Sequence, residues 1–474
     1  MLIKLLSSLF VLIVLAGTNV LADETEDDLS GFSEETSSDL SGFEDDDLVV
    51  DNEEFSAEEE KDFTLNGDVA FKTSVGYKKH EVDGVEYSGV NQAQTSLYLQ
   101  LDGKLSDDWK LRVSGNAFYD AIYDLRSYED YRQEILDDYR TQLRFDDVYI
   151  QGKISSNLDL KAGRQIVVWG KSDTIRITDV INPLDNRLPG MTDIEDLRLS
   201  VSMAKFDYYA DEWNFSFMVI PENRIMIEAT PRGEFFPVDN VFKVPGGVVD
   251  PFPNLVTPST SLENMQYAFA ANGVFSGWDL SFYAADVLDQ KWHFKELPRP
   301  GTALSERTVS NIKMLGSAVN IAYGSWLFKA EAAYINGVKY NTTADDKNRL
   351  DTLIGVEYMG IRDTTISLEV ANRHIFDYED KMQYQADFVD KNEMQTALRL
   401  TRSFANDSIN ATSLLSMFGS SWENGGFARI WVEYEVMEAV NAELGVVDYI
   451  GGDKPFIEAI KDNDRVFAEI SYSF

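Results

Sequence analysis

The chain has 474 residues, no cysteine and a formal net charge of -39 at neutral pH. This length allows several ordinary domains or one large barrel, and the missing cysteines exclude disulfides and cysteine-based zinc sites. The negative charge excludes nucleic acid as an expected partner, because carboxylates and phosphates repel each other.

The N-terminus has the pattern of an export signal. Lys4 precedes an apolar run, Leu5 to Ala16, that is too short for a comfortable membrane helix. Val20-Leu21-Ala22 ends in a small residue, so we expect residues 1–22 to be a signal peptide cleaved after Ala22. The alternative is an N-terminal membrane anchor.

A strongly acidic segment follows, with 18 Asp or Glu and no Lys or Arg in residues 23–60. Such a run buries too little apolar surface to offset its ordering entropy, so we expect a disordered tail on the periplasmic side. Asp28-Leu29-Ser30-Gly31-Phe32 recurs as Asp39-Leu40-Ser41-Gly42-Phe43. The repeat is either part of a solvated spacer or a pair of docking motifs.

From residue 61 onward the pattern has a period of two. Apolar residues Phe63, Leu65, Val69 and Phe71 alternate with polar ones, and similar alternation continues to the C-terminus. Many runs last 10 to 14 residues, as tilted membrane strands require. Aromatic residues make up 12% of the chain, which suits the aromatic girdles of a barrel in the outer membrane of a Gram-negative cell.

The runs predict a fold of the all-β class. Short turns alternate with long polar loops, which is typical of an antiparallel transmembrane β-barrel, here of about 16–18 strands over residues 61–474. The predicted strands are 62–78, 91–105, 108–124, 141–154, 157–169, 195–209, 212–225, 262–275, 277–289, 310–323, 325–338, 349–361, 363–377, 392–404, 407–418, 427–437, 440–449 and 464–474.

If the apolar face meets lipid, the opposite positions line the lumen. These lumen-lining candidates are Arg112, Lys329, Glu331, Glu369, Arg399, Arg429, Glu433, Glu443 and Glu469. Both signs of charge are present, so selectivity for a strong anion is not expected. The alternative role for these residues is a salt-bridged wall that stiffens the barrel.

Two long loops, 170–194 and 226–260, are rich in turn residues, and the second is unusually apolar for a solvated loop. We hypothesise that both fold into the lumen and constrict it, whereas the alternative is packing at the rim. The constriction candidates are Trp169, Asn182, Pro183, Asp185, Phe235, Phe236, Phe242 and Phe252.

The chain ends on Phe474, with Tyr472 on the same predicted face. A terminal aromatic residue after alternating apolar residues has the form of the signal that the outer-membrane assembly machinery reads. We therefore expect Tyr472 and Phe474 to direct assembly, with outer-membrane lipid and lipopolysaccharide as the surroundings of the barrel.

Three stretches, Gly163-Arg164-Gln165, Trp169-Gly170 and Asp179 to Asp185, resemble a family of bacterial outer-membrane barrels labelled as a domain of unknown function. The segments 277–283, 329–334 and 463–474 also fit, so the resemblance spans roughly residues 140–474. Members of this family are commonly encoded beside resistance-nodulation-division (RND) exporters and a periplasmic companion protein. The resemblance implies a transport context and supplies no functional residues.

The pattern offers little for catalysis. The three histidines, His80, His293 and His374, fall in or near predicted outer loops without metal-ligand spacing, so no enzyme activity, cofactor or metal site is expected. Acidic pairs such as Asp137-Asp138 and Glu379-Asp380 are candidates for calcium but lack EF-hand spacing.

The expected function is outer-membrane transport of a hydrophobic or amphipathic solute. The solute class and an RND-type inner-membrane partner are implied by the resemblance alone. The alternatives are a substrate-preferring diffusion porin for small nutrients and a structural or adhesion barrel without transport. A lumen plugged by loops would favour transport of a hydrophobic or amphipathic solute over both alternatives.

Overall fold

The computed structural model describes residues 62–241, 252–296, 305–384 and 386–474. The predicted signal peptide, the acidic tail and Phe242 lie outside these residues. The 18 strands of the main sheet are β1 (Phe63–Gly76), β2 (Gly89–Ser106), β3 (Trp109–Asp120), β4 (Thr141–Ser155), β5 (Leu158–Gln165), β6 (Val201–Ala210), β7 (Trp213–Ile220), β8 (Gln266–Phe275), β9 (Trp278–Leu288), β10 (Asn311–Tyr323), β11 (Trp326–Val338), β12 (Lys347–Ile361), β13 (Thr364–Ile375), β14 (Asn392–Phe404), β15 (Ile409–Phe418), β16 (Gly426–Met437), β17 (Val440–Ile450) and β18 (Arg465–Ser473).

The sheet closes on itself. Each strand is antiparallel to the next, and β18 pairs with β1 from Ser473 opposite Asp68 to Arg465 opposite Gly76. Closure removes the free edges that would expose unpaired main-chain groups to lipid. The predicted antiparallel barrel is confirmed, and its 18 strands lie at the upper end of the predicted range.

Short turns lie at one end of the barrel and long connections at the other. The short turns include 211–212, 276–277, 324–325 and 362–363. Backbone in the left-handed region makes them tight, with φ of +49° at Asp211 and +81° at Gly277. Since the strand number is even, both ends of the described chain lie at the short-turn end.

The long connections hold the remaining small elements. The longest are 166–200 and 221–265. The helices are Ile122–Leu125, Gln133–Tyr139, Val238–Val241 and Pro455–Ala459, with 3-10 turns at Leu262–Asn264 and Asp380–Gln383. Two-residue strands occur at Glu81–Val82, Val85–Glu86, Asp185–Asn186, Ile227–Glu228, Leu255–Val256, His293–Phe294 and Arg307–Thr308. Among the described residues, no helix is long and apolar enough to cross a membrane.

The outer face of the barrel is apolar. Large side chains such as Phe217, Phe282 and Phe328 are exposed at alternate positions of their strands. Four strands begin with tryptophan directly after a short turn: Trp109, Trp213, Trp278 and Trp326. Such a ring of aromatic residues marks a membrane–water interface, so the sheet is a transmembrane barrel.

A bulge between β3 and β4 keeps this outer face continuous. Val113 pairs with Val148 and Gly115 pairs with Phe145, so Asp146 and Asp147 both stand opposite Ser114. The Asp147 N–H donates to Ser114 Oγ at 3.0 Å. The extra residue shifts the alternation by one, and therefore apolar side chains point outward on both sides of the bulge.

The C-terminal residue extends the pairing between the first strand, β1, and the last strand, β18. The Phe474 N–H donates to Gly67 O and the Gly67 N–H donates to Phe474 O, both at 2.9 Å. A Cβ atom at Gly67 would stand 2.7 Å from Phe474 Cζ, so the ring lies directly over this glycine. Tyr472 stacks beside Phe474 with ring centroids 6.2 Å apart.

We predict that Phe474→Ala lowers the fraction of exported chain that reaches the folded barrel, and destabilises the barrel by about 1 kcal/mol through the lost aromatic contacts. Heat-modifiable gel migration and urea unfolding in lipid vesicles measure the two effects. Phe404→Ala is the control, because Phe404 ends β14 at the same end of the barrel and is also exposed. Equal losses in both variants would contradict a special role for the terminal residue.

Candidate functional site

Residues 166–200, which we call the lumen segment, cross the inside of the barrel between β5 and β6. Asp193 forms ion pairs of 2.9 Å with Arg399 on β14 and 3.1 Å with Arg429 on β16. In a ring of 18 strands, β14 lies nine strands from β5 in either direction (14 − 5 = 9). The segment therefore spans the full width of the lumen.

The two ends of the lumen segment are joined by Asn182, which is fully buried. Its side-chain oxygen accepts the Val167 N–H at 2.8 Å, and its side-chain nitrogen donates to Leu199 O at 2.8 Å. The next residue, Pro183, accepts the Leu199 N–H at 2.7 Å. Since a buried amide that meets both a donor and an acceptor is fixed in orientation, this residue sets the path of the segment.

One side of the segment packs into an apolar core. Val167, Ile175, Ile177 and Ile181 are buried against inward side chains of the wall, among them Met203, Met218, Met314, Ala333 and Leu353. Trp169 stacks on Tyr283 with ring centroids 4.8 Å apart. Each such burial contributes about 1.5–3 kcal/mol relative to exposure, so apolar packing holds this part of the segment against the wall.

Two wall carboxylates bind the main chain of the segment. Glu331 on β11 accepts the N–H groups of Lys171, Ser172 (2.8 Å) and Thr178 (3.3 Å), and the Thr178 hydroxyl at 2.8 Å. Glu369 on β13 accepts the Ser172 hydroxyl at 2.7 Å, with two further N–H groups from Asp173 and Thr174. Both glutamates are buried, so these bonds satisfy donors that have no other partner in the sheet.

Two lysines complete this attachment of the segment to the wall, which we call the first anchor. Lys329 lies between Asp173 of the segment and Glu357 of β12, at 3.2 Å from the latter. Lys171 of the segment reaches Asp279 on β9 at 2.7 Å. The buried charges are thus paired and hydrogen-bonded, which is the condition for tolerating them away from water.

The second anchor lies farther along the segment, at Asp193. Its partner Arg429 also meets Glu443 at 3.3 Å and stands over the Trp431 ring at 4.0 Å. Burial raises the pKa of the nearby Asp196 carboxyl, and the negative charge of Asp193 raises it further.

The remaining lumen-lining candidates do not touch the segment. Arg112 pairs with Asp102 at 2.7 Å, and Glu469 pairs with Lys72 at 2.8 Å. Glu433 is exposed on the same face of β16 as Trp431, toward the short-turn end.

Residues 221–265, which we call the mouth loop, pack at the long-loop end. Phe235 contacts Tyr449 of β17 with centroids 5.8 Å apart, and Phe236 contacts Phe252 at 5.7 Å. The main-chain oxygen of Glu234 accepts a bond of 3.0 Å from Asn463. Since β17 lies across the ring from β7 and β8, the described part of the loop extends over the barrel mouth.

A cavity of about 260 Å³ remains between these two loops and the wall. It is bounded by inward residues of β1–β4, by residues 185–197 of the lumen segment and by Gly233, Glu234 and Phe235 of the mouth loop. Asp185, a constriction candidate, holds Arg187 at 2.6 Å and Arg144 of β4 at 3.3 Å on its border.

Two of the three histidines, both in described ranges, form hydrogen bonds with nearby oxygen atoms. His293 and His374 direct ring nitrogens to Phe294 O at 3.0 Å and Asn392 Oδ1 at 2.8 Å. Across the described ranges, no three potential ligands are placed to hold a metal ion.

Sequence reasoning missed the polar residues of the segment that make the contacts, chiefly Asp173, Thr178 and Asp193. A charged residue in a loop has no periodicity that would reveal its partner. The sequence did contain one indication of a polar contact inside the barrel. Three charged residues, Lys329, Glu331 and Glu369, lie on the predicted inner face of two strands.

The solved structures to which this chain is similar include OccAB1, OccK5 and a deletion mutant of an outer membrane protein. OccAB1 of Acinetobacter baumannii has 11% identity and a TM-score of 0.48, covering 86% of this chain and 96% of that one. OccK5 (OpdH) of Pseudomonas aeruginosa has 9% identity and a TM-score of 0.48, covering 87% and 98%. A loop L8 deletion mutant of OmpT, an outer membrane protein of Vibrio cholerae, has 10% identity and a TM-score of 0.41, covering 87% and 100%.

None of the curated proteins compared matches the chain. The family model described as "Protein of unknown function (DUF1302)" matches residues 73–474. This match covers most of the chain, as the motifs around Gly163-Arg164-Gln165 and Asn182-Pro183 had indicated, and the chain belongs to that family.

Proposed function

We propose that this protein is an outer-membrane transporter whose lumen is closed at rest by the lumen segment, and that it translocates a hydrophobic or amphipathic solute. The observation that carries the proposal is the attachment of the segment to Glu331 and Glu369, far across the barrel from its own strands. A freely diffusing porin needs an open passage, whereas this interior is filled on one side.

A purely structural barrel has no need of the polar cavity that remains beside the segment. Its charged wall and its loops instead fit a conduit that opens when the segment moves. In this proposal Arg112, Arg399, Arg429, Glu433, Glu443 and Glu469 line the passage, and Lys329, Glu331 and Glu369 hold the gate.

We also propose how the chain is exported and assembled and what surrounds the barrel. Residues 1–22 serve as the signal peptide, and the acidic residues 23–60 form a periplasmic tail. The assembly machinery reads Tyr472 and Phe474, and lipopolysaccharide surrounds the long-loop end. An RND-type inner-membrane transporter with a periplasmic companion delivers or receives the solute, an inference that rests on the resemblance to the family.

We predict that Glu331→Gln combined with Glu369→Gln turns a closed barrel into a conducting one. Each substitution removes a charged acceptor and introduces an amide NH₂ toward main-chain N–H groups, which costs about 1.5–3 kcal/mol for each carboxylate. Single-channel recording in planar bilayers should show rare or small steps for the unmodified protein and frequent large steps for the variant.

The matched control is Glu433→Gln, which changes the same type of side chain in the lumen at a residue that does not hydrogen-bond to the segment. Large stable steps in the unmodified protein would favour the diffusion porin and would refute a closed resting state.

A second prediction tests whether the segment must move. A Cβ atom at Gly316 of β10 would stand 2.9 Å from Thr178 Cγ2, which is close enough for a disulfide between cysteines at the two positions. Because the chain has no cysteine, Thr178→Cys with Gly316→Cys forms only this bond.

Oxidation of the double variant should abolish the openings seen under strong voltage, and a reducing agent should restore them. Each single cysteine variant should be insensitive to the reducing agent. Openings that persist at full strength in the oxidised double variant would show that the part of the segment near Thr178 stays in place during conduction.

A further inference from the structure

The cavity beside the lumen segment has a lining whose charges cancel. Four cations and four anions border it. The cations are Lys72, Arg144, Arg187 and Arg465, and the anions are Asp120, Asp185, Asp196 and Glu234. In a chain with a net charge of -39, a neutral lining is a local property of this cavity.

Most of these charges are already engaged with each other. Arg187 donates to Asp185 at 2.8 and 2.6 Å, and Arg465 donates to Glu234. Lys72 pairs with Glu469 at 2.8 Å, and Asp120 accepts main-chain N–H groups at 2.9 and 3.0 Å. A charged ligand would have to break such pairs and leave one partner unmatched, which is costly in a confined site.

Uncharged amides supply the free hydrogen-bonding capacity. Gln92 and Gln94 on β2 border the cavity, and no side-chain hydrogen bond is described for either. Asn116 on β3 also borders it, and its Oδ1 is buried without a partner. An amide offers both a donor and an acceptor, so these three side chains are complementary to hydroxyl, carbonyl or amide groups.

The lining also contains aromatic and apolar side chains. Tyr87, Phe118, Tyr123, Tyr139 and Phe235 contribute rings, together with Ile135, Leu188 and Met191. Burial raises the pKa of Tyr87 and Tyr123, and raises that of Tyr139 to about 12, so these phenols are uncharged at neutral pH. Such a surface favours an apolar or aromatic body.

We infer that this cavity is the solute-binding site, and that it selects an uncharged amphipathic molecule with an apolar body and a hydroxyl, carbonyl or amide head. The head meets Gln92, Gln94 and Asn116, and the body meets the rings. This inference rests on the proposed transport function and names the class of its solute. A pure hydrocarbon would leave the amides unsatisfied, and an ion would disturb the pairs around Arg187 and Arg465.

Three probes with one aromatic body separate these chemistries: 2-naphthylacetamide, 2-naphthylacetate and 2-ethylnaphthalene. Their binding is measured by fluorescence titration of the barrel in lipid nanodiscs, with empty nanodiscs subtracted. The amide should bind saturably, about tenfold more tightly than either the carboxylate or the headless probe. Equal or tighter binding of the carboxylate or the headless probe, or no saturable binding of the amide, would overturn the inference.

Variants locate the site. Gln94→Leu and Asn116→Leu should each weaken binding of the amide about fivefold, as the loss of one neutral hydrogen bond predicts, without weakening binding of 2-ethylnaphthalene. Gln151→Leu is the matched control, because Gln151 lies on β4 of the same wall but outside the cavity lining. If Gln94→Leu and Asn116→Leu behave like the control, the ligand binds elsewhere.

The conductance experiments keep the two proposals apart. A closed resting barrel that opens in the Glu331→Gln, Glu369→Gln variant but binds no amide probe would overturn the ligand class and leave the transport function standing. Selective binding of the amide in a barrel that conducts freely at rest would overturn the closed, gated transporter and leave the ligand class standing.

Discussion

The interior of this barrel depends on main-chain N–H groups of residues 171–178 donating to two wall carboxylates, Glu331 and Glu369. A loop that enters a barrel loses water from its polar backbone, and each unsatisfied donor would cost about 1–3 kcal/mol. Carboxylates on β11 and β13 replace that water. The segment can therefore cross the lumen with no more regular structure than the two-residue strand Asp185–Asn186, and the same part of it packs apolar side chains around Trp169.

The same attachment divides the lumen into unlike halves. Toward the inner faces of β6–β13, the segment buries Ile175, Ile177 and Ile181 in a dense core. Toward β1–β4, it leaves an amide-rich cavity with balanced charge. One loop thus closes the barrel on one side and forms the border of a polar site on the other, while the mouth loop covers that site from above through Phe235.

The fold was predictable from sequence because the outer face of each strand meets lipid and the inner face meets the lumen. Apolar and polar residues therefore alternate along the strands with a period of two. All 18 predicted ranges overlap the observed strands, whereas the bulge at Asp146 and Asp147 was not predicted. The site was predictable only in part. Glu331 and Glu369 were assigned to the inner face, and Trp169 and Asn182 to a constricting loop. The contacts of the two glutamates join residues more than 150 positions apart in sequence, such as Ser172 with Glu331 and Glu369. No local pattern encodes such contacts.

The two anchors of the segment differ in strength, and in the proposed transporter this difference determines which part of the segment moves first. Glu331 is buried and accepts several charge-assisted bonds, whereas Asp193 and Arg399 keep 24% and 28% of their side chains exposed. An ion pair that stays in contact with water, as Asp193 with Arg399 does, contributes about 0–1 kcal/mol, so this anchor depends mainly on the buried Arg429, whereas Glu331 accepts four bonds. Leu188, Met191 and Asp196, which surround the weaker anchor in sequence, are also the residues that border the cavity. In the proposed transporter a solute in the cavity therefore touches the part of the segment that costs least to displace, so binding begins the opening at Asp193, and full opening also requires residues 171–178 to leave Glu331 and Glu369.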